Sequence, residues 1–327
     1  MRPILLGLTI ILSGTLPAAT SLASPRGKQI LLHTAIGTPS ALLISGRARR
    51  RPIAPLPADS SRLRKLGRSL RLLFEGGARH RAIVISIAGK RYTTLTDRRG
   101  YFQLHTEGDN LSPGRHIVSM EVSNGRSATR DIAQLQIFAT TPGIAVVSDI
   151  DDTLLDTGVD RPLRMLGRAL VGSARDLRAT PGALAFFRQQ KRIHRPLLFI
   201  SSSPASLYPR LRAFTLLKGI AANLLLRRGR RGGHAHKLEK LELLHTLLPN
   251  YRFILLGDSG QRDPEIYRRF AANHPEAVHH IAIRRHSDRV RLDDVRFTGM
   301  QIFEHFDEVS SHLTHSGSAR AAVNKLR

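Results

Sequence analysis

The feature that most constrains the fold is an alternation of short apolar runs and helical patterns beyond residue 141. The apolar runs are Ile144–Ser148, Leu197–Ile200, Phe253–Leu256 and a plausible fourth at Val278–Ile283. Helical spacing of apolar residues is found over Ala183–Gln190, Ser206–Leu217, His236–Leu248 and Pro264–Asn273. Such alternation predicts a doubly wound α/β domain with a parallel sheet, whose functional residues lie at the carboxyl ends of the strands.

Polar side chains follow directly after the first three apolar runs. They are Asp149, Asp151, Asp152 and Thr153, then Ser201, Ser202 and Ser203, and finally Asp258 and Asp263. The carboxyl ends of the strands converge in such a sheet, so the side chains should lie close together. Crowded carboxylates repel one another unless a cation holds them, and Mg²⁺ suits a few carboxylates combined with phosphate oxygens.

These segments, taken in order, resemble the four motifs of the haloacid-dehalogenase (HAD) superfamily. Asp149-x-Asp151-x-Thr153 is similar to the first motif, Ser201 to the second, Lys237 to the third, and Asp258 with Asp263 to the fourth. More closely, segments 148–153, 201–209 and 257–267 resemble the App1 family of phosphatidate phosphatases. The similarity covers roughly residues 142–285 and implies a Mg²⁺-dependent phosphatase with a HAD-like (Rossmann-like) sheet and an aspartyl-phosphate intermediate.

The resemblance implies catalytic and substrate-binding roles. Asp149 would be the nucleophile, and Asp151 would protonate the leaving oxygen and then activate the hydrolytic water. Ser201 would bind a phosphoryl oxygen, and Lys237 would offset the negative charge of nucleophile and phosphate. Thr153 would brace the loop beside the substrate.

The metal site implied by the resemblance uses the carboxylates of Asp149 and Asp258 and the backbone carbonyl of Asp151. Asp263 would be a further ligand or an outer partner of the metal. Asp152 falls outside the general pattern, and we assign it no role.

Two assignments have rivals within the sequence. Ser202 could bind the phosphate in place of Ser201, which we prefer because it lies at the strand end. Lys240 is the rival of Lys237, and Lys218 is a further possibility.

Residues 1–23 are expected to be a signal peptide. Arg2 precedes the apolar run Ile4–Leu16, and Ser21–Ala23 offers small residues at the positions that a signal peptidase reads. This predicts export to the periplasm or beyond. An uncleaved membrane anchor is the alternative, although the run is short for a bilayer span.

Residues 24–73 are expected to form a basic linker that ends in a short helix over Arg62–Phe74. Residues 74–141 are rich in strand patterns, with a turn at Asp97–Gly100, and they resemble a transthyretin-like β-sandwich. The HAD-like catalytic domain would then span residues 142–327. A helical flap over Pro162–Leu177 would be its only cap, because too few residues follow Thr153 for a large one.

The charge of the chain is extreme. It carries 51 Lys and Arg against 25 Asp and Glu, a formal net charge of +26, with arginine clusters at Arg47–Arg51 and Arg227–Arg231. We expect attraction to anionic membrane surfaces, whereas the alternative is simply a basic, solvated surface. Nucleic acid is not expected as a specific partner.

The chain has no cysteine, which excludes disulfides and thiolate catalysis.

The sequence thus predicts a phosphatase whose substrate is phosphatidate or a related lipid phosphate. A soluble or polymeric phosphomonoester, such as a nucleotide, sugar phosphate or phosphoprotein, is the alternative substrate. A non-catalytic polyanion- or lipid-binding protein is a third hypothesis, and the presence of both Asp149 and Asp151 argues against it.

Overall fold

The computed structural model describes residues 29–50, 76–123, 128–151, 153–156, 177–220, 223–227, 235–285, 291 and 294–314. They contain a seven-stranded sheet from the first part of the chain and a six-stranded sheet from the second. The predicted signal peptide, the predicted helix at Arg62–Phe74, Asp152, and residues 162–176 of the predicted flap lie outside the described residues.

The first sheet is mixed and strongly curled. Its strands are β1 (Gln29–Thr38), β2 (Ala41–Arg49), β3 (Ala82–Ile87), β4 (Lys90–Leu95), β5 (Tyr101–Glu107), β6 (Gly114–Ser123) and β7 (Ala128–Ile137). Their order is β4-β3-β6-β7-β1-β2-β5, with only β1 and β7 paired in parallel. The two outer strands approach each other, since Thr94 Oγ1 donates to the carbonyl of Gln103 at 2.9 Å. The sheet is therefore nearly closed into a barrel, and a two-sheet sandwich is not confirmed.

The prediction of a linker over residues 24–73 is wrong for residues 29–49, which form β1 and β2. Arginines obscured the strand pattern, but Arg47 and Arg49 are only 6% and 2% exposed. Arg47 donates from Nε to the carbonyl of Arg99 at 3.1 Å, and its guanidinium lies 5.0 Å from the ring centroid of Tyr101. By strand alternation Arg47 and Arg49 lie on the face of β2 that carries Leu43, opposite the face whose Ile44 and Ala48 line the core of the curled sheet. Part of the Arg47–Arg51 cluster is therefore buried and does not form an anion-attracting surface.

The second sheet is wholly parallel, as predicted. Its strands are β8 (Gly143–Asp149), β9 (Leu197–Pro204), β10 (Asn223–Arg227), β11 (Tyr251–Asp258), β12 (Val278–Arg284) and β13 (Gln301–Phe303). They follow the order β10-β9-β8-β11-β12-β13. The helices are α1 (Ala183–Arg192), α2 (Tyr208–Leu217), α3 (Ala235–Leu247) and α4 (Asp263–Asn273). The α/β prediction is confirmed, while the short strands β10 and β13 were not predicted.

The apolar runs are explained by burial on both faces of the parallel sheet. Alternate residues of one strand point to opposite faces. Val146 and Ile254 accordingly pack in one core, while Val147 and Leu255 pack in the other. No helix among the described residues is long and apolar enough to cross a bilayer.

The curled sheet packs against the open edge of the parallel sheet. Thr34 Oγ1, on β1, donates to the carbonyl of Leu224 at 2.9 Å, and the amide of Ala35 donates to Asn223 Oδ1 at 3.4 Å. Ile36 and Leu43 share a core with strands of the parallel sheet. Strand β1 therefore covers β10, and the two sheets are joined by buried contacts.

Candidate active site

The predicted site residues meet at the carboxyl edge of the parallel sheet. Strand β8 lies between β9 and β11, so the three polar segments that follow these strands become neighbours. Asp149 is opposite Ile200 in the ladder with β9, and Ser148 is opposite Leu256 in the ladder with β11. The convergence expected from the sequence is observed.

Lys237 lies between two carboxylates at the first turn of α3. Its side chain is 1% exposed, and its Nζ lies 2.8 Å from Oδ1 of Asp149 and forms a second ion pair with Asp263. Burial alone would lower the pKa of Lys237, but the charges of Asp149 and Asp263 outweigh burial and raise the pKa above its ordinary value. The lysine is therefore a fixed cation beside Asp149.

Three buried carboxylates surround a common point. Asp149, Asp258 and Asp263 each offer an oxygen within 4.8 Å of the other two, and all three are at most 1% exposed. Burial raises the pKa of Asp149 well above its ordinary range; Lys237 opposes this rise, and the neighbouring carboxylates add to it. Oδ2 of Asp149 receives no hydrogen bond from the described residues. This donor set fits a hard divalent cation, which would neutralise the excess negative charge.

The loop after β11 holds the other two carboxylates in place. Oδ1 of Asp258 accepts from the amides of Gly260 and Gln261 at 2.7 and 2.9 Å. Oδ2 of Asp263 accepts from the amide of Asp258 at 3.3 Å. Backbone groups thus fix the orientation of each carboxylate.

Asp151 is not one of the three clustered carboxylates, and its side chain is held by two serines. Ser201 Oγ donates to Oδ2 of Asp151 at 2.9 Å, and Ser203 Oγ lies 2.9 Å from Oδ2 and 3.1 Å from Oδ1. The amide of Ser203 donates in turn to Ser201 Oγ at 3.0 Å. The side chain of Asp151 is thus available for proton transfer, separate from the three carboxylates that can hold a cation.

Ser203 was missed by the sequence analysis, although strand alternation could have identified it. Ser201 and Ser203 are two residues apart in β9 and point to the same face, whereas Ser202 points to the other. The hydroxyls of Ser202 and Thr153 are buried without a hydrogen-bond partner among the described residues. The hydroxyl of Ser202 therefore makes no hydrogen bond with Asp151.

The rival lysines lie elsewhere. Lys240 is one turn beyond Lys237 and lines a small cavity with His33, Ser45 and Gln103 of the curled sheet. Lys218 caps the end of α2. Of the three lysines, Lys237 is the one that forms ion pairs with the carboxylates of the site.

Arg296 and Gly257 support the site and were not singled out from the sequence. Arg296 donates to the carbonyls of Ser259 and Gln261 at 3.2 and 2.8 Å, and it pairs with Glu265 at 3.2 Å. A Cβ atom on Gly257 would lie 2.6 Å from Cβ of Asp263. The loop after β11 is therefore clamped from outside, and only glycine leaves room for Asp263.

The sequence was compared with known proteins. Residues 144–285 match the family model described as phosphatidate phosphatase APP1, catalytic domain. An uncharacterized protein of Schizosaccharomyces pombe is 28% identical over 212 residues, which cover 59% of this chain and 34% of that protein. The chain therefore spans about a third of the length of this curated relative.

Solved structures that match this chain have low overall similarity to it. A putative beta-phosphoglucomutase from Thermotoga maritima is 17% identical, with a TM-score of 0.36, covering 53% of this chain and 99% of its own. The D,D-heptose 1.7-bisphosphate phosphatase of B. bronchiseptica, complexed with magnesium and phosphate, is 11% identical with a TM-score of 0.37. That match covers 54% of this chain and 99% of the other.

The family match and the site coincide in the chain. The matched segment contains every carboxylate of the cluster, both serines that hold Asp151, and Lys237. Residues 144–285 are thus similar to the catalytic domain of the APP1 phosphatidate phosphatases, and the whole candidate active site lies within this matched segment.

Proposed function

We propose that this chain is a Mg²⁺-dependent phosphatase that hydrolyses phosphatidate or a related lipid phosphate through an aspartyl-phosphate intermediate. One observation supports it above all others. Asp149 lies in a buried carboxylate cluster beside Lys237, while Asp151 is held apart by two hydroxyls. The two aspartates therefore have different surroundings, as a nucleophile and a general acid require.

In the first step, an oxygen of Asp149 attacks phosphorus, and the bond between phosphorus and the leaving oxygen breaks. Asp151 donates its proton to that oxygen, so the alcohol leaves neutral. Lys237 stabilises the negative charge that builds up on the phosphoryl group, and it needs no reorganisation because Asp149 and Asp263 already fix its ammonium.

In the second step, a water molecule attacks the phosphorus of the aspartyl-phosphate. Asp151, now a carboxylate, takes a proton from the water, and the bond to Asp149 breaks to release phosphate. The hydroxyls of Ser201 and Ser203 hold the carboxylate of Asp151 in the same orientation in both steps.

Asp149, Asp258 and Asp263 are the residues that would hold Mg²⁺, together with the backbone carbonyl of Asp151. When bound, the ion supplies positive charge that offsets the carboxylates and the phosphoryl oxygens. The crowding of three buried carboxylates supports this assignment, because the single positive charge of Lys237 does not neutralise all three.

The lipid substrate is proposed from the family and from the net charge of +26, which favours anionic surfaces. The test is a phosphate-release assay with phosphatidate in vesicles, a nucleotide, a sugar phosphate and a phosphopeptide, each with Mg²⁺ or chelator. Fastest turnover of phosphatidate supports the proposal. Faster hydrolysis of a soluble ester would move the assignment to the alternative substrate class. No phosphate release from any substrate would favour the non-catalytic binding protein.

We also propose that the chain is exported, on the basis of the apolar run Ile4–Leu16 and the small residues at Ser21–Ala23. Cell fractionation and N-terminal sequencing of the mature protein test this. A cytosolic protein that retains Met1 would contradict it.

A further inference from the structure

Two histidines and a glutamate form a second cluster of potential metal ligands, away from the carboxylate site. His245 is in the last turn of α3, His274 follows the end of α4, and Glu276 comes two residues later. One ligand atom from each lies within 4.8 Å of the other two. Oε1 of Glu276 lies 3.8 Å from Nε2 of His245 and 4.0 Å from Nδ1 of His274.

The ring of His274 is oriented as it would be in a metal site. Its Nε2 lies 2.6 Å from Oε2 of Glu242. Metal-binding histidines usually donate their second N–H to a carboxylate, which fixes the tautomer and makes the other nitrogen a better ligand. With Nε2–H donated to Glu242, the lone pair is on Nδ1, the atom closest to Glu276.

Packing holds both imidazoles in position. The ring centroid of Phe270 lies 5.1 Å from that of His274 and 6.1 Å from that of His245. The two imidazole centroids are themselves 4.4 Å apart. Nδ1 of His245 is buried and has no hydrogen-bond partner among the described residues. The ring of His245 can therefore point Nε2 toward Glu276 without breaking a hydrogen bond at Nδ1.

We propose that His245, His274 and Glu276 bind a divalent transition-metal ion of the Zn²⁺ type, with Glu242 as the outer carboxylate. Imidazole nitrogens with one carboxylate suit Zn²⁺ and related ions, whereas Mg²⁺ prefers oxygen ligands. Bonds of about 2.0 to 2.1 Å place the ligand atoms of a tetrahedral site roughly 3.3 Å apart. The two distances from Glu276, 3.8 and 4.0 Å, must shorten by roughly 0.5 to 0.7 Å, which Glu276 can provide because its side chain is 68% exposed. A water molecule would complete the coordination.

The ion would connect two helices that both serve the active site. Lys237 is in the first turn of α3, and Asp263 is the first residue of α4. The histidine cluster joins the opposite ends of these same helices. A bound ion would therefore stabilise the helix pair without contacting the reacting groups, and the proposal does not depend on the phosphatase activity.

The test uses the full chain, stripped of metal and kept in excess Mg²⁺ so that the carboxylate site is occupied. Zn²⁺ is titrated by calorimetry, and X-ray absorption at the zinc edge reports the ligand atoms. We expect nitrogen ligands, at least tenfold weaker binding in His274→Ala and Glu276→Gln, and a loss of 10- to 100-fold in Glu242→Gln. His105→Ala, an exposed histidine on β5, is the matched control and should bind as the unmodified chain does.

The thermal unfolding temperature gives a second readout. Zn²⁺ should raise the unfolding temperature of the unmodified chain and of His105→Ala, but not that of Glu276→Gln. Because the side chain of Glu276 is exposed, its substitution should leave the fold intact. The proposal is overturned if Zn²⁺ affinity is equal in all these proteins, or if the zinc spectrum shows oxygen ligands only.

Discussion

Ser203→Ala is the substitution that most directly tests how Asp151 is held. The hydroxyl of Ser203 lies 2.9 and 3.1 Å from the two oxygens of Asp151 and has one proton to donate, so we count it as one hydrogen bond to a charged group. Such a bond contributes roughly 1.5 to 3 kcal/mol. Since 1.36 kcal/mol corresponds to a factor of ten in rate, its loss should lower kcat by roughly 10- to 100-fold.

The assay compares two substrates that depend differently on acid catalysis. The nitrophenolate that leaves from a nitrophenyl phosphate is stable without a proton, so this substrate depends little on acid catalysis. The alcohol oxygen that leaves from phosphatidate must be protonated, so that substrate depends strongly on acid catalysis. Ser203→Ala should therefore slow phosphatidate hydrolysis more than nitrophenyl phosphate hydrolysis. The pH dependence of kcat for phosphatidate should also change, because Asp151 would lose a donor to its carboxylate form.

Ser202→Ala is the matched control, because the hydroxyl of Ser202 does not reach Asp151. The ratio of its kcat values for the two substrates should equal that of the unmodified chain, because Ser202 does not orient Asp151. Equal losses in Ser202→Ala and Ser203→Ala, or an equal loss on both substrates, would refute the positioning role of Ser203.

Three further predictions concern the carboxylate cluster. Asp149→Asn should abolish phosphate release while circular dichroism shows an intact fold, since the amide keeps the shape but loses the nucleophile; near-normal turnover would exclude the assignment. Chelation followed by dialysis should remove activity, Mg²⁺ should restore it, and Ca²⁺ should do so poorly because its coordination is looser; full activity without a divalent ion would contradict this. Gly257→Ala should lower kcat strongly, because the added Cβ would displace Asp263, which lies 2.6 Å away; unchanged kinetics would show that the loop adapts freely.

The carboxylate site could be predicted from the sequence because its aspartates lie at, or a few residues beyond, the ends of apolar strands. Asp149, Ser201 and Asp258 come directly after or at the end of apolar runs, so their convergence requires only the parallel order of the strands. The sequence alone does not separate Lys237 from Lys240, because both lie on one helix and their surroundings depend on how that helix packs.

The curled sheet was harder to predict because its stabilising contacts are distant in sequence. Burial of Arg47 depends on the carbonyl of Arg99, which is far away along the chain, so its strand resembled a basic linker. The second metal cluster was missed for a similar reason. Its ligands come from the ends of two helices, and no local motif connects His245 with His274.

The covering of β10 by β1 has a consequence for the independence of the catalytic unit. An exposed edge strand is a template for pairing with other chains, and proteins avoid this by covering such edges. Here the hydroxyl of Thr34 donates to the carbonyl of Leu224, and the amide of Ala35 donates to the side chain of Asn223. Residues 142–327 expressed alone would expose this edge and the apolar surface beneath Ile36 and Leu43. We therefore expect the isolated parallel-sheet unit to self-associate. The segment that matches the family contains the candidate active site, but we do not expect it to be soluble as an isolated fragment.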